Sequence, residues 1–177
     1  VNKGKGRNYG IEFSIEKEFS NSFYYLFNTS LYESKFTVDK LPERNTSYNG
    51  NYSFHGLAGK EFDINRGRDR LGINVKFTTA GGRPFVPIDL QKSIAEERTV
   101  YVWEQAFEQK LPDYFRADFQ VVYKKNNPRY STEWRLDLQN FTDHRNAAYY
   151  YFDQHDGTIR LKKQIGFLPL LSFRIDF

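Results

Sequence analysis

The chain has 177 residues, a formal net charge of +4, 18% aromatic side chains and neither Cys nor Met. That length is enough for one domain with a core, the missing thiols remove disulfides and thiolate metal sites, and Lys and Arg are scattered rather than gathered on the basic face that a nucleic-acid surface needs. Mean hydropathy is −0.73, and no apolar run approaches the roughly 18 residues of a membrane helix, which excludes a helical membrane protein but not a barrel of alternating strands. No signal or transit peptide is visible, and a chain opening at Val1 reads as a processed product or a fragment.

In chain order, Val1–Asn8 is a polar lead-in without periodicity. From Tyr9 to Phe19 the odd positions Ile11, Phe13, Ile15 and Phe19 are apolar, opposite Glu12, Ser14, Glu16 and Glu18. A period of two predicts a strand with one apolar face. Turn chemistry at Ser20–Ser22 predicts a hairpin into a second strand, Phe23–Phe36. Its register is ambiguous, because Tyr24, Leu26 and Tyr32 oppose Phe23, Tyr25, Phe27, Thr29 and Leu31. Thr37–Asn49 reads as a longer loop. A third strand, Asn51–Ile64, sets Tyr52, Phe54, Ala58, Phe62 and Ile64 against Ser53, His55, Glu61 and Asp63. After a tight turn around Gly67, a fourth carries Leu71, Ile73, Val75 and Phe77.

Gly81–Pro112 is the longest irregular stretch, and a connection of that length is functional or disordered. The fifth strand, Asp113–Lys124, alternates Phe115, Ala117, Phe119, Val121 and Tyr123 with Arg116, Asp118, Gln120 and Lys124. A short turn at Lys125–Arg129 leads to a sixth with Trp134, Leu136 and Leu138. Asp143–Thr158 reads as a third long loop, with the aromatic run Tyr149–Phe152 and a turn at Asp156–Gly157. The last strand, Gly166–Phe177, has Phe167, Pro169, Leu171, Phe173, Ile175 and Phe177 on one face and Ser172, Arg174 and Asp176 on the other.

The expected fold is therefore all-β, an antiparallel up-and-down meander of about seven long strands. Its connections alternate short and long, and Glu12, Arg116, Asp118, Arg135, Asp137, Arg174 and Asp176 share one face. An outer-membrane barrel has tight turns on one side and long loops on the other, with lipid outside and a polar lumen. A soluble lipocalin-like barrel inverts the faces. The sequence does not say which face is outside, so that alternative stands. Seven strands also leave a bacterial barrel incomplete, since such barrels close with an even number.

Several stretches carry a resemblance. Tyr9–Lys17, Asn49–Tyr52, Leu57–Phe62, Gly81–Asp89, Leu111–Asp118, Leu136–Thr142 and the terminal Phe177 together resemble the last part of a TonB-dependent outer-membrane receptor. The likeness is to the Bacteroidetes type with a carboxypeptidase-like regulatory domain ahead of the plug, and it covers essentially all of residues 1–177. It implies the C-terminal part of a 22-stranded barrel with a plugged lumen, set in the outer membrane of a Gram-negative bacterium. The partners it implies are outer-membrane lipid, TonB (through an N-terminal part not in this chain) and an imported ligand of siderophore, glycan or peptide class. It further implies that the terminal strand, through Phe173, Ile175 and Phe177, is the address read by the barrel-assembly machinery; alone, the piece is expected to be an open, curved sheet.

The search for other chemistry yields little. Gly56–Lys60 is glycine-bearing like a phosphate loop, but Glu61 stands where Ser or Thr should hold Mg²⁺. His144, Asp153, His155 and Asp156 lack local ligand spacing and read as solvated. Glu12 and Glu16 need no catalytic role on a wet face, and Asn28, Asn45, Asn51 and Asn140 in Asn-x-Ser/Thr triplets read as chance. No enzyme, cofactor or metal site is expected. The candidates for ligand contact are a loop cation and loop aromatics: Arg83, Phe85, Tyr101, Trp103, Tyr149, Tyr150, Tyr151 and Phe152. Amphipathic rings can stack on sugars, peptides or aromatic chelates, although rings near strand ends also form the girdle at lipid headgroups.

Overall fold

A computed structural model of the chain describes residues 4–39 and 42–177. Its strands are β1 (Gly4–Ser20), β2 (Phe23–Val38), β3 (Arg44–Asn45), β4 (Tyr52–Ile64), β5 (Asp69–Ala80), β6 (Pro84–Phe85) and β7 (Gln109–Lys110), followed by β8 (Tyr114–Asn126), β9 (Ser131–Gln139), β10 (Ala147–Asp153), β11 (Thr158–Lys163) and β12 (Leu168–Asp176). One short helix, α1 (Leu90–Ala95), and a 3-10 turn at Trp103–Gln105 lie between β6 and β7. The seven long strands form one antiparallel meander in the order β1-β2-β4-β5-β8-β9-β12. Among the described residues the sheet is open, with β1 and β12 at its two edges.

The pairing registers explain why the alternation matters. Val75 lies opposite Ala58 on one side and Phe119 on the other, and Phe119 lies opposite Leu138. Leu71, Tyr123, Trp134 and Phe173 form a parallel row, with the Trp134 and Phe173 rings 4.5 Å apart. Cross-strand neighbours share a face, so the apolar sets of all seven strands fuse into one surface. Among the described residues no second layer covers it: Ile11, Phe13, Ile15, Leu31, Val75, Phe77, Trp134, Leu171 and Phe173 are all exposed. Among the described residues the buried apolar side chains are only Pro84, Ala106, Ala117 and Phe152.

The opposite face is polar and internally paired. A row of side chains from four strands crosses the sheet from β2 to β9: Tyr24 Oη donates to Asn74 Oδ1 (2.8 Å), Asn74 Nδ2 to Gln120 Oε1 (2.7 Å), and Gln120 Nε2 to Asp137. Gly59 lies between Tyr24 and Asn74, and a Cβ there would overlap both side chains. Residues two apart on a strand face the same way, which lets β8, β9 and β12 each hold their own ion pair. These are Arg116–Asp118 (2.7 Å), Arg135–Glu133 (2.8 Å) and Arg174–Asp176 (2.7 Å). An open cavity of about 320 Å³ on this face is lined by Tyr24, Asn74, Lys76, Arg116, Gln120 and Asp137, among others. The ambiguous register of the second strand resolves with Tyr25, Phe27 and Leu31 on the apolar face and Tyr24 in the polar row.

The short connections gather at one end of the sheet. Asn21 and Ser22 both have positive φ (54° and 60°), as a type I′ turn requires, and this twist suits a two-residue hairpin. The turns between β4 and β5 and between β8 and β9 are tied together. Asp69, fully buried, accepts from Asn65 Nδ2 and from the Asn126 backbone N–H (3.1 Å), while Asn126 Nδ2 donates to Arg68 O (2.8 Å).

Three expectations need correction. The lead-in read as aperiodic is strand from Gly4 onward, Gly4 lying opposite Val38; residues 1–3 lie outside the described residues. It pairs through polar rather than apolar contacts, Arg7 with Glu43 (3.0 Å) and Ser34 Oγ with Asn8 Oδ1 (2.6 Å), so no alternation marks it. The second strand runs on through Thr37 and Val38, shortening the loop placed at Thr37–Asn49, of which residues 40 and 41 lie outside the described residues. The loop placed at Asp143–Thr158 contains β10, which forms a hairpin with β11 around a turn that includes Asp156–Gly157.

The space at Gly59 is the tightest on the polar face. Gly59→Ala should lower the unfolding midpoint, because overpacking costs about 1–3 kcal/mol. Gly72→Ala, where a Cβ would meet Val122 at 3.6 Å, should be tolerated. Equal midpoints for the two variants in a thermal melt would show that the Tyr24–Asn74 contact contributes little.

Candidate functional site

At the other end of the sheet the three long connections pack on one another. The β2–β4 and β5–β8 connections touch where Gly81 crosses Gly50, so closely that a Cβ on Gly81 would strike the Gly50 carbonyl. Gly81 N donates to Tyr52 O (3.0 Å), while Arg44 Nη1 and Asn45 Nδ2 donate to the carbonyls of Trp103 and Phe107 (both 3.1 Å). Buried Asn49 accepts from the Ser34 backbone N–H (2.9 Å) and gives its own amide to Asn45 Oδ1 (2.8 Å). Side-chain amides here do the work of absent backbone partners, as buried N–H and C=O groups require.

The stretch read as irregular, Gly81–Pro112, has its own ladder. Leu111 N donates to Arg83 O, Phe107 N to Phe85 O, and Asp89 N to Val100 O (3.0, 3.0 and 2.8 Å). Asp89 then caps α1 through Lys92 N (3.0 Å), and buried Ser93 accepts from Val100 N (3.0 Å). The third connection docks on β8 beyond the end of β9. Phe141 N donates to Ala117 O (2.9 Å), and the buried Asn146 amide both accepts from Phe115 N (2.8 Å) and donates to Phe115 O (2.7 Å). An amide side chain thus stands in for one residue of a neighbouring strand.

This packing brings together five of the eight residues singled out for ligand contact. Phe85, Val86, Tyr101, Trp103, Tyr149 and Tyr150 line a cavity of about 360 Å³. The Phe85 and Tyr150 rings are 4.9 Å apart and tilted by 40°; those of Tyr101 and Trp103 are 6.0 Å apart and tilted by 59°. Arg83 is exposed at an adjoining larger cavity of about 920 Å³, to which Phe85 and Tyr149 also contribute. Phe152 is not at either cavity and is buried, although it shares a strand face with Tyr150. Tyr151, with its ring 6.4 Å from that of Tyr149, lines neither. Val86 belongs to the wall but has no sequence pattern to mark it.

The remaining candidates are dispersed. Phe173 and Ile175 lie on edge strand β12, and Phe177 beyond its end is 97% exposed. The glycine-bearing Gly56–Lys60 is a mid-strand piece of β4. Asp153 and Asp156 both pair with Arg160, and among the described residues no group of three or more His, Cys, Asp or Glu is gathered around a common point. No protein-family model, characterised protein or solved structure matches this chain.

Asp113 holds the base of the loop layer. Its carboxylate accepts from Tyr52 Oη (2.6 Å) and Gly82 N (2.8 Å), joining β4 to both ends of the β5–β8 connection. The Tyr52 hydroxyl first, then the Gly82 N–H and the Lys110 charge, hold its pKa below the ordinary 3.8, against a smaller opposing effect of burial. A pKa lower in the folded than in the unfolded state stabilises above the unfolded value and is lost as pH falls through the folded one. Hydrogen exchange at Gly82 should therefore rise steadily as pH drops below about 4, after correction for the intrinsic rate. Asp113→Asn should remove that dependence; an unchanged profile in the variant would assign the opening to another group.

Proposed function

We propose that the chain forms part of the wall and the outer loops of a transmembrane β-barrel, the C-terminal portion of a TonB-energised outer-membrane uptake receptor. The observation that carries this reading is the uncovered apolar face, continuous across seven strands and backed by a polar face of paired charges. Water is a poor solvent for such a surface, and contiguous exposed apolar patches of that extent mark an interaction site. Lipid is the partner that suits a sheet apolar on one side, with aromatic side chains in its cross-strand rows and turns at one end only.

The unpaired edges fit the same reading. β1 and β12 each present a row of backbone groups without a strand beyond them among the described residues, and barrels abolish such edges by closing. Further strands of a 22-stranded wall would satisfy both. The polar face would then border the lumen, and the packed long connections would meet the imported ligand. For a lipocalin-like alternative the apolar face would have to enclose the ligand; the cavity on the polar face favours the lipid-facing arrangement.

Adjacent residues on β8 test the assignment of faces. Phe119 belongs to the apolar face and Gln120 to the polar row. Phe119→Arg should lower stability in lipid by about 2–4 kcal/mol, and Gln120→Arg by much less. Equal losses, measured by denaturant titration in vesicles, would remove the membrane reading.

The terminal residues test the assembly role. Strand addition uses backbone pairing for affinity and alternate side chains for specificity, and Phe173, Ile175 and Phe177 supply one such alternate set. Phe177 touches little of the sheet at 97% exposure, so deleting it from the full-length protein should leave folded stability nearly unchanged. Surface display of an epitope placed between β10 and β11 should nevertheless fall severalfold relative to total protein. Normal display would show that the terminal strand is not the assembly signal.

A further inference from the structure

We infer that the aromatic cavity of the long connections, together with Arg83 beside it, binds an acidic oligosaccharide: pyranose rings on the aromatic faces and a uronate carboxylate on the guanidinium. The inference deepens the uptake reading by giving its loop layer a ligand class. It starts from the composition of the walls. None of the six residues lining the smaller cavity is an acid, a lysine, an arginine or a histidine. The adjoining cavity, which shares Phe85 and Tyr149, has one charged side chain in its wall, Arg83, and no carboxylate. Among the described residues the Arg83 guanidinium has no hydrogen bond or ion pair, while its carbonyl is fixed by Leu111 N at 3.0 Å. A cation without a partner, carried on backbone that the ladder fixes and beside rings without a charge, complements a ligand with an anionic group at one end.

The geometry of the rings selects the rest of that ligand. Tyr101, Trp103 and Tyr149 are 44%, 64% and 57% exposed, which makes them open platforms instead of the sides of a slot. The two ring pairs in contact are tilted by 40° and 59°, so neither pair presents a flush stack of parallel faces. A pyranose needs only one face: its C–H side lies on a ring while its hydroxyls remain in water or reach the polar tips of Tyr and Trp. Carboxylate and guanidinium then meet in the forked, charge-assisted arrangement that arginine favours. The smaller volume, about 360 Å³, falls in the range of small-molecule sites and would take one or two sugar rings, the larger cavity accepting the next.

The two tryptophans allow a direct test. Trp134 lies on the apolar face against Phe173, so in a Trp134→Phe background the remaining indole, Trp103, reports on the cavity. The full chain, folded in detergent micelles, is titrated with a galacturonic-acid tetrasaccharide, an uncharged hexose tetrasaccharide and dihydroxybenzoate. The uronate should bind about tenfold tighter than the neutral sugar, the order of gain from one charge-assisted contact. Arg83→Gln should abolish that preference and leave neutral binding unchanged. Tyr149→Ala should weaken both sugars severalfold, and Trp103→Ala, read by calorimetry, should do the same. Equal affinity for the two sugars, tighter binding of dihydroxybenzoate, or wild-type binding by Trp103→Ala would each overturn the assignment. A preparation that inserts into lipid vesicles yet binds no sugar overturns the ligand class alone. One that binds the uronate while remaining a monomer in plain buffer supports the ligand class and overturns the membrane reading.

Discussion

Register is the constraint on which the rest of this sheet depends. Side chains alternate with a period of two, so a slip of one residue in any pairing would move a whole strand's apolar set to the wrong face. The rows through Val75, Phe119 and Leu138 and through Tyr123, Trp134 and Phe173 would break. So would the polar row from Tyr24 to Asp137. Two chemically opposite surfaces thus enforce one alignment from both sides. The ion pairs within β8, β9 and β12 contribute in a different way: each sets an arginine against a carboxylate two residues away on its own strand.

The loop layer depends on that alignment in turn. The β5–β8 and β9–β12 connections begin and end where adjacent strands stop together, whereas β2 runs on to Val38, beyond the Leu31–Tyr52 pair where β4 begins. Asn146 fills the ladder position beside Phe115, Asn49 takes the Ser34 N–H, and Asp113 takes the Gly82 N–H. Orphan backbone groups are costly when buried, so these polar side chains set where the loops sit. The aromatic cavity follows from this placement. Phe85 and Tyr150 come from different connections and meet only because both connections are anchored on the same rim.

Much of the sheet is legible from the sequence because alternation is a local signal. The Phe115–Tyr123 pattern and the Tyr9–Phe19 pattern each identify a strand without reference to anything else. Gly4–Asn8 escapes because its partners are polar, and a polar pair leaves no period. The β10–β11 hairpin is hidden for the opposite reason: Tyr149–Phe152 is aromatic at every position, so alternation disappears although the faces still differ. The candidate site was readable as residue types and not as a place. Phe85, Tyr101, Trp103 and Tyr149 stand out as loop aromatics, but their convergence depends on Gly81 crossing Gly50 and on Asn146 docking beside Phe115. Those contacts join residues far apart in the chain and carry no periodic mark. Phe152, an aromatic in the same run, is buried although it shares a face with the cavity residue Tyr150.

The segregation of short turns to one end has a kinetic consequence. β1 with β2, β4 with β5, and β8 with β9 are each joined by a connection of only a few residues, whereas β2–β4, β5–β8 and β9–β12 pairing must close long loops. Closing a short loop costs less chain entropy and takes place sooner. The meander is therefore poised to grow by hairpins, each forming as a unit from its tight turn. The long connections then dock these units, and β12 beside β9, into one sheet.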